Sequence, residues 1–175
     1  MTGQVAYSRG LGVANWLASA HPDPEQAKAE WGDPRKGHVA LIPTGRIFDA
    51  VRVAAKVVHA AVGDTDDARV AAFLSALVDG PVIHDAYSAS IAYCFLVPLG
   101  SCAHHRADDA HRLVPGTTWL GVPEAARTAR PGAFWVLAPR QYDDLCIPGY
   151  VDQLIRAGRR NLAKAAEIAR EGCPQ

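Results

Sequence analysis

Apolar residues recur along this chain with two different periods. Between residues 65 and 78, Val70, Phe73, Leu74, Leu77 and Val78 fall at i, i+3, i+4, i+7 and i+8, the spacing of one helix face, with Thr65 ahead of them as a cap and Gly80 as the stop. Residues 8–20 place Leu11, Ala14, Leu17 and Ala18 on one side of another helix, capped by Ser8 and halted by His21-Pro22. Asp23-Pro24 opens a short helix through Trp31, since proline's missing N–H does no harm in a first turn. Residues 54–62 read as a helix ended by Gly63. A long helix at about 148–171 carries an apolar stripe of Val151, Leu154, Ile155, Leu162, Ala165, Ala166 and Ala169.

Shorter apolar runs between turn residues predict strands. Residues 38–43 and 47–53 read as a hairpin turned at Pro43-Thr44-Gly45-Arg46. Residues 81–84 and 91–98 flank a second turn at 85–90, and 99–116 read as a loop holding most of the histidines. Residues 117–122 and 133–138 are rich in aromatic and β-branched residues, hence strands, with the polar segment 123–131 between them. Strands in hairpin-like pairs among helices predict an α+β fold: one domain spanning 1–175, with a mixed or antiparallel sheet flanked by helices and a core at about 38–140. Neither GxGxxG nor GxxxxGK[ST] occurs, so the phosphate-cradling loops of the common nucleotide folds are absent.

Composition narrows the reading. The 175 residues are 49% hydrophobic and 21% charged, as in an ordinary globular protein, and 18 Lys+Arg balance 18 Asp+Glu. A nucleic-acid role therefore requires a local basic patch. Two are available: Arg156, Arg160 and Lys164 at i, i+4 and i+8 of the last helix, and Arg35-Lys36 with Arg46 beside the first hairpin. The N-terminal residues lack the cationic start and apolar run of a secretory signal, and no stretch approaches about 18 apolar residues, so the expectation is a cytoplasmic protein with no membrane partner. Cys94, Cys102, Cys146 and Cys173 form no CxxC pair and are expected as free thiols.

The densest chemistry lies at Cys102-Ala-His104-His105-Arg-Ala-Asp108-Asp109-Ala-His111. Cys102, His104, His105 and His111 are zinc-ligand types in close spacing, without the paired knuckles of a structural site and without HExxH. They define one alternative, a small enzyme or metalloprotein with zinc as its cofactor; on the main reading there is no cofactor. No GxSxG elbow is present, and the pairs Asp66-Asp67, Asp108-Asp109 and Asp143-Asp144 sit in loops or at helix starts, where carboxylates suit exposed N–H groups. A further alternative is a protein-interaction module anchored by Trp119 and Trp135.

Three segments, Ala40-Leu-Ile-Pro-Thr-Gly-Arg-Ile-Phe-Asp-Ala-Val-Arg-Val53, Ala92-Tyr-Cys-Phe-Leu-Val-Pro-Leu-Gly100 and Gly132-Ala-Phe-Trp-Val-Leu-Ala-Pro139, together resemble the bifunctional primase/polymerase (PrimPol) domain of the archaeo-eukaryotic primase superfamily, especially its short actinobacterial relatives. The resemblance spans about residues 38–140. In that family two carboxylates at alternate positions of the first strand hold divalent ions for phosphoryl transfer. Here those positions are Arg52 and Ala54, with a lone Asp49 upstream on the opposite face of a regular strand. The family histidine at the head of the next strand corresponds to Ala92, and no acid lies between Thr117 and Val122. With all three catalytic positions replaced, the resemblance implies a non-catalytic binding or regulatory module for nucleic acid or nucleotide, with Lys36, Arg46, Asp49 and Arg52 as candidate ligand contacts. A guanidinium cannot ligate a cation, but it can hold a phosphate or carboxylate in bidentate fashion.

Overall fold

The computed structural model describes residues 12–86 and 90–171. Helix α1 occupies residues 12–18 and buries Val13, Trp16 and Leu17; the expected Ser8 cap and Leu11 lie outside the described residues, as does Cys173. Helix α2, Pro24–Gly32, begins on Asp23, whose carboxylate accepts from the N–H groups of Glu25 and Gln26 at 3.1 and 3.2 Å. Helix α3, Ala55–Val62, stops at Gly63, where a left-handed φ of 79° lets the Gly63 N–H return to the His59 carbonyl. Helix α4, Asp67–Leu77, is capped by Asp66, which accepts from Arg69 N at 3.0 Å. Thr65 stands one residue too far out to cap it. Val78 rather than Gly80 closes this helix.

The strands are β1 (Val39–Pro43), β2 (Asp49–Ala54), β3 (Val82–Asp85), β4 (Ala92–Val97), β5 (Arg106–Ala107), β6 (Ala110–Arg112), β7 (Trp119–Pro123) and β8 (Phe134–Leu137). They form two antiparallel sheets. One has two strands, β1 and β7; the other has six in the order β5-β6-β2-β4-β3-β8. The α+β class with a long final helix is therefore present, but the first expected hairpin is not. β1 pairs with β7, from Val39 opposite Pro123 to Pro43 opposite Trp119, whereas β2 pairs with β4 and β6. The turn between them carries the chain from one sheet to the other. Gly45, at φ 86° against Pro115, has no room for a Cβ there. The β3–β4 pair is antiparallel as expected. The segment expected as a loop, 99–116, contains β5 and β6, too short to leave a periodic signature.

Alternation along the six-stranded sheet separates two cores. Ala50, Ile83, Cys94 and Leu96 point to one face, beneath α1, α2 and the β1–β7 sheet. Val51, Val53, Tyr93, Phe95 and Val97 point to the other, beneath α3, α4 and α5 (Pro148–Glu171). Helices α3 and α5 are in close contact at Gly158, where a Cβ would strike the Val57 carbonyl oxygen. Of the stripe expected on α5, Val151, Leu154 and Ile155 are buried, while Ala165, Ala166 and Ala169 are exposed. The reason is length: at about 1.5 Å per residue, α5 outruns the 8-residue α3 on which it lies.

Candidate functional site

Strand β2 sets the geometry, because its alternation sends its two conspicuous charges in opposite directions. Asp49 faces the α5 side and is fully buried. Its Oδ2 accepts from Arg112 Nη2 at 2.7 Å and from the Gly100 N–H at 2.8 Å, so the carboxylate fastens the loop after β4 and the edge strand β6 to the sheet. Asp49 Oδ1 and Arg112 Nε have no hydrogen-bond partner among the described residues. Such a pair is a structural clamp, since removing either partner leaves a buried charge.

Arg52 faces the other way, into a cleft of about 600 Å³ between the two sheets. Its guanidinium lies 3.6 Å from Asp85 and donates to the Ser90 carbonyl at 2.7 Å. Val39, Leu41, Leu113 and Leu120 make the cleft walls apolar, and Trp119 lines it with nearly half its surface exposed. Glu30 and Lys36 close another part of the lining. Glu30 accepts from Lys36 Nζ at 2.7 Å and from the Leu41 N–H at 3.1 Å. Burial alone would raise the Glu30 carboxyl, but the Lys36 and Leu41 hydrogen bonds together hold it below its ordinary value. Cys94 also lines the cleft; burial pushes its thiol up to about 12, leaving it protonated and unsuited to nucleophilic attack. The arrangement is a mostly apolar slot with two cations and two carboxylates, able to orient a flat, amphipathic ligand through a few charged groups.

The candidate residues are thus divided. Lys36 and Arg52 line the cleft, Asp49 lies on the opposite face of the sheet, and Arg46 is exposed on the turn between sheets, outside the cleft lining. Arg156, Arg160 and Lys164 are exposed on α5 and form no ion pair among the described residues. They sit on the α5 side of the sheet and Arg35-Lys36 on the α2 side, so the two basic patches do not make one surface. Trp119 is available for contact; Trp135 is buried, donating its indole N–H to the Pro123 carbonyl, so it anchors the core rather than a partner.

Around the histidine-rich segment, Cys102 and His105 meet Asp152 of α5, with His104 beside them. His111 does not join them. The β6 register places it opposite Arg52, and therefore on the cleft face, away from Cys102 and α5. Asp152 was not legible as part of this group, because it lies far along the chain inside an amphipathic helix.

A second polar cluster has no sequence motif at all. On the α4 side, Tyr93 OH lies 2.9 Å from His59 Nε2, its ring meets His84 edge-on, and His84 stacks on Phe134 at 4.8 Å. Arg130 crosses the top of the cluster, bound to Asp67 at 2.8 Å and lying 3.5 Å from His84 Nε2. Burial lowers both histidines, Arg130 adds to the effect, and burial pushes Tyr93 up to about 12. His84 Nδ1 is buried without a partner among the described residues.

Compared with known proteins, the chain matches no family model, no curated protein and no solved structure. The place where the primase resemblance puts paired carboxylates does not fit a divalent ion: Arg52 and Ala54 stand there, and the nearby Asp85 is occupied by the Arg52 guanidinium. No helix among the described residues is long and apolar enough to cross a membrane.

Proposed function

We propose that this chain is a non-catalytic, PrimPol-like binding module whose ligand is a nucleotide lying in the cleft between the two sheets. The observation that carries the reading is the direction of Arg52. It stands at the residue aligned with a catalytic carboxylate of the primase superfamily, and it opens into a slot of about 600 Å³, a volume suited to a nucleotide-sized molecule. Arg52 and Lys36 provide cations for phosphate, the exposed Trp119 provides a ring for base stacking, and Glu30 and Asp85 provide acceptors for base or ribose donors. A ligand phosphate competes with Asp85 for Arg52, so binding exchanges one ion pair for another and is selective rather than very tight.

The test is titration of the purified protein with ATP, dATP and GTP in the presence of a chelator, followed by Trp fluorescence and calorimetry. Saturable binding is expected without metal, weakened at least about tenfold by Arg52→Ala and by Trp119→Ala, a loss of about 1.4 kcal/mol for each. Absence of saturable binding, or binding indifferent to both substitutions, overturns the reading. So does primer synthesis by the unaltered protein with Mg²⁺ or Mn²⁺.

A further inference from the structure

On the side of the sheet away from the cleft, three residues of zinc-ligand type converge from two distant segments. Cys102 Sγ, one ring nitrogen of His105 and a carboxylate oxygen of Asp152 all lie within 4.8 Å of one another. Cys102 and His105 are buried, and Asp152 stands in the first turns of α5 with its side chain 21% exposed. His105 Nε2 lies 2.6 Å from Asp152 Oδ1, and His104 Nε2 lies 3.2 Å from the same oxygen, with the two imidazole rings 4.1 Å apart.

That convergence is unusual as a purely structural contact. One carboxylate oxygen is approached by two imidazole nitrogens at once, with a thiol alongside, so the groups pointing inward are acceptors or can become so by losing a proton. We infer that Cys102, His105 and Asp152 form a binding site for a divalent transition ion of the zinc class, with His104 as the fourth ligand.

Thiolate, imidazole and carboxylate together match zinc's preference for mixed sulfur, nitrogen and oxygen donors, and exclude magnesium or calcium, which take oxygen. Metal–ligand bonds of about 2.0–2.3 Å in a tetrahedron demand ligand atoms some 3.3–3.7 Å apart. The His105–Asp152 contact is shorter than that. A proton holds the two groups together where the ion would sit, and a small opening of one side chain admits the ion. His104, with 63% of its side chain exposed, can close the fourth position from the solvent side.

The scaffold beneath the site is preorganised. Cys102 occupies a left-handed backbone conformation, φ 58°, uncommon for a residue with a side chain, and its carbonyl accepts from the His105 N–H at 3.1 Å in a tight turn. The Asp49–Gly100 hydrogen bond holds the start of the same loop against the sheet. On α5, the Arg159–Asp109 pair, with Nε to Oδ2 at 3.0 Å, fixes the helix against the β5–β6 turn. Two rigid bodies thus present the donors, and the ion would cross-link loop and helix. This site is independent of the nucleotide cleft, which lies on the other face of the sheet.

The test uses the full chain without a histidine tag, stripped with chelator and titrated with Zn²⁺ and Co²⁺. One equivalent is expected to bind, and the Co²⁺ complex is expected to show a thiolate-to-cobalt charge-transfer band. Cys102→Ser abolishes that band, Asp152→Asn weakens binding at least about tenfold, and His111→Ala changes neither. A cobalt complex of the unaltered protein without the thiolate band, or stoichiometric uptake unaffected by Asp152→Asn, overturns the assignment. Failure of the unaltered protein to take up either ion overturns it as well, with no variant needed.

Discussion

At the scale of single residues, the two charges of β2 have opposite fates because side chains alternate along a strand. Asp49 and Arg52 are three positions apart, and the expectation that they face opposite ways is met. What the sequence could not reveal was either partner: Arg112 lies in a strand too short to be recognised, and Asp85 ends β3, which lies beyond β4 from β2. The Asp49–Arg112 pair gives a sharp stability prediction. Asp49→Ala leaves the guanidinium largely buried and the Gly100 N–H unsatisfied. The cost is set near the lower end for broken buried pairs, about 3 kcal/mol, because 21% of the Arg112 side chain still reaches water. Replacing both residues, Asp49→Leu with Arg112→Met, should restore more than half of that loss in urea denaturation. A double variant no more stable than Asp49→Ala would mean that the pair is not what holds this edge of the sheet.

At the scale of elements, helices were readable, whereas of the expected strand pairs β3–β4 formed and the first hairpin did not. Asp23, Gly63 and the apolar spacing of α4 mark helices through contacts a few residues apart, and these appear close to where they were expected. The first hairpin failed because Pro43-Thr44-Gly45-Arg46 has turn chemistry, yet turn chemistry does not determine which strand receives the unpaired edge. β1 instead bonds to β7, whose pairing is a long-range event with no local trace. The α3–α5 contact is another such event. Gly158 looks like a flaw in a helix, and replacing it with Ala should gain up to about 1 kcal/mol of helix propensity. Here the new methyl meets the backbone carbonyl of Val57, which cannot rotate aside, so overpacking of about 1–3 kcal/mol wins. Gly158→Ala should therefore lower Tm, whereas Gly149→Ala, with open space around its Cβ, should not. Equal behaviour of the two glycines would show that α5 does not depend on close approach to α3.

At the scale of the whole molecule, one sheet carries two cores, and their polar content differs in a way that predicts how stability responds to pH. His59 and His84 belong to the α3–α4–α5 side, and burial lowers both below their ordinary value of 6.5, with the Arg130 charge adding to the effect. The neutral imidazole is thus the form that fits the folded state. Above about pH 6.5 neither state binds the extra proton and the full stability is present. As pH falls below 6.5 the unfolded chain takes up protons that the native protein refuses, so stability declines until the folded values are reached. Each histidine contributes a slope of up to about 1.4 kcal/mol per pH unit in that window. A second decline follows in more acid solution, where Asp67 and Asp109, held below 3.8 chiefly by hydrogen bonds from Arg130 and Arg159, become protonated. The two stages separate experimentally, because only the first depends on histidine. Urea denaturation from pH 8 to 5 should show falling stability, and His84→Gln should reduce that slope by about half while leaving the acid stage in place. A profile flat between pH 8 and 5 would mean that both histidines accept their protons within the fold, in which case the buried His84 Nδ1 must find a partner that the neutral arrangement lacks.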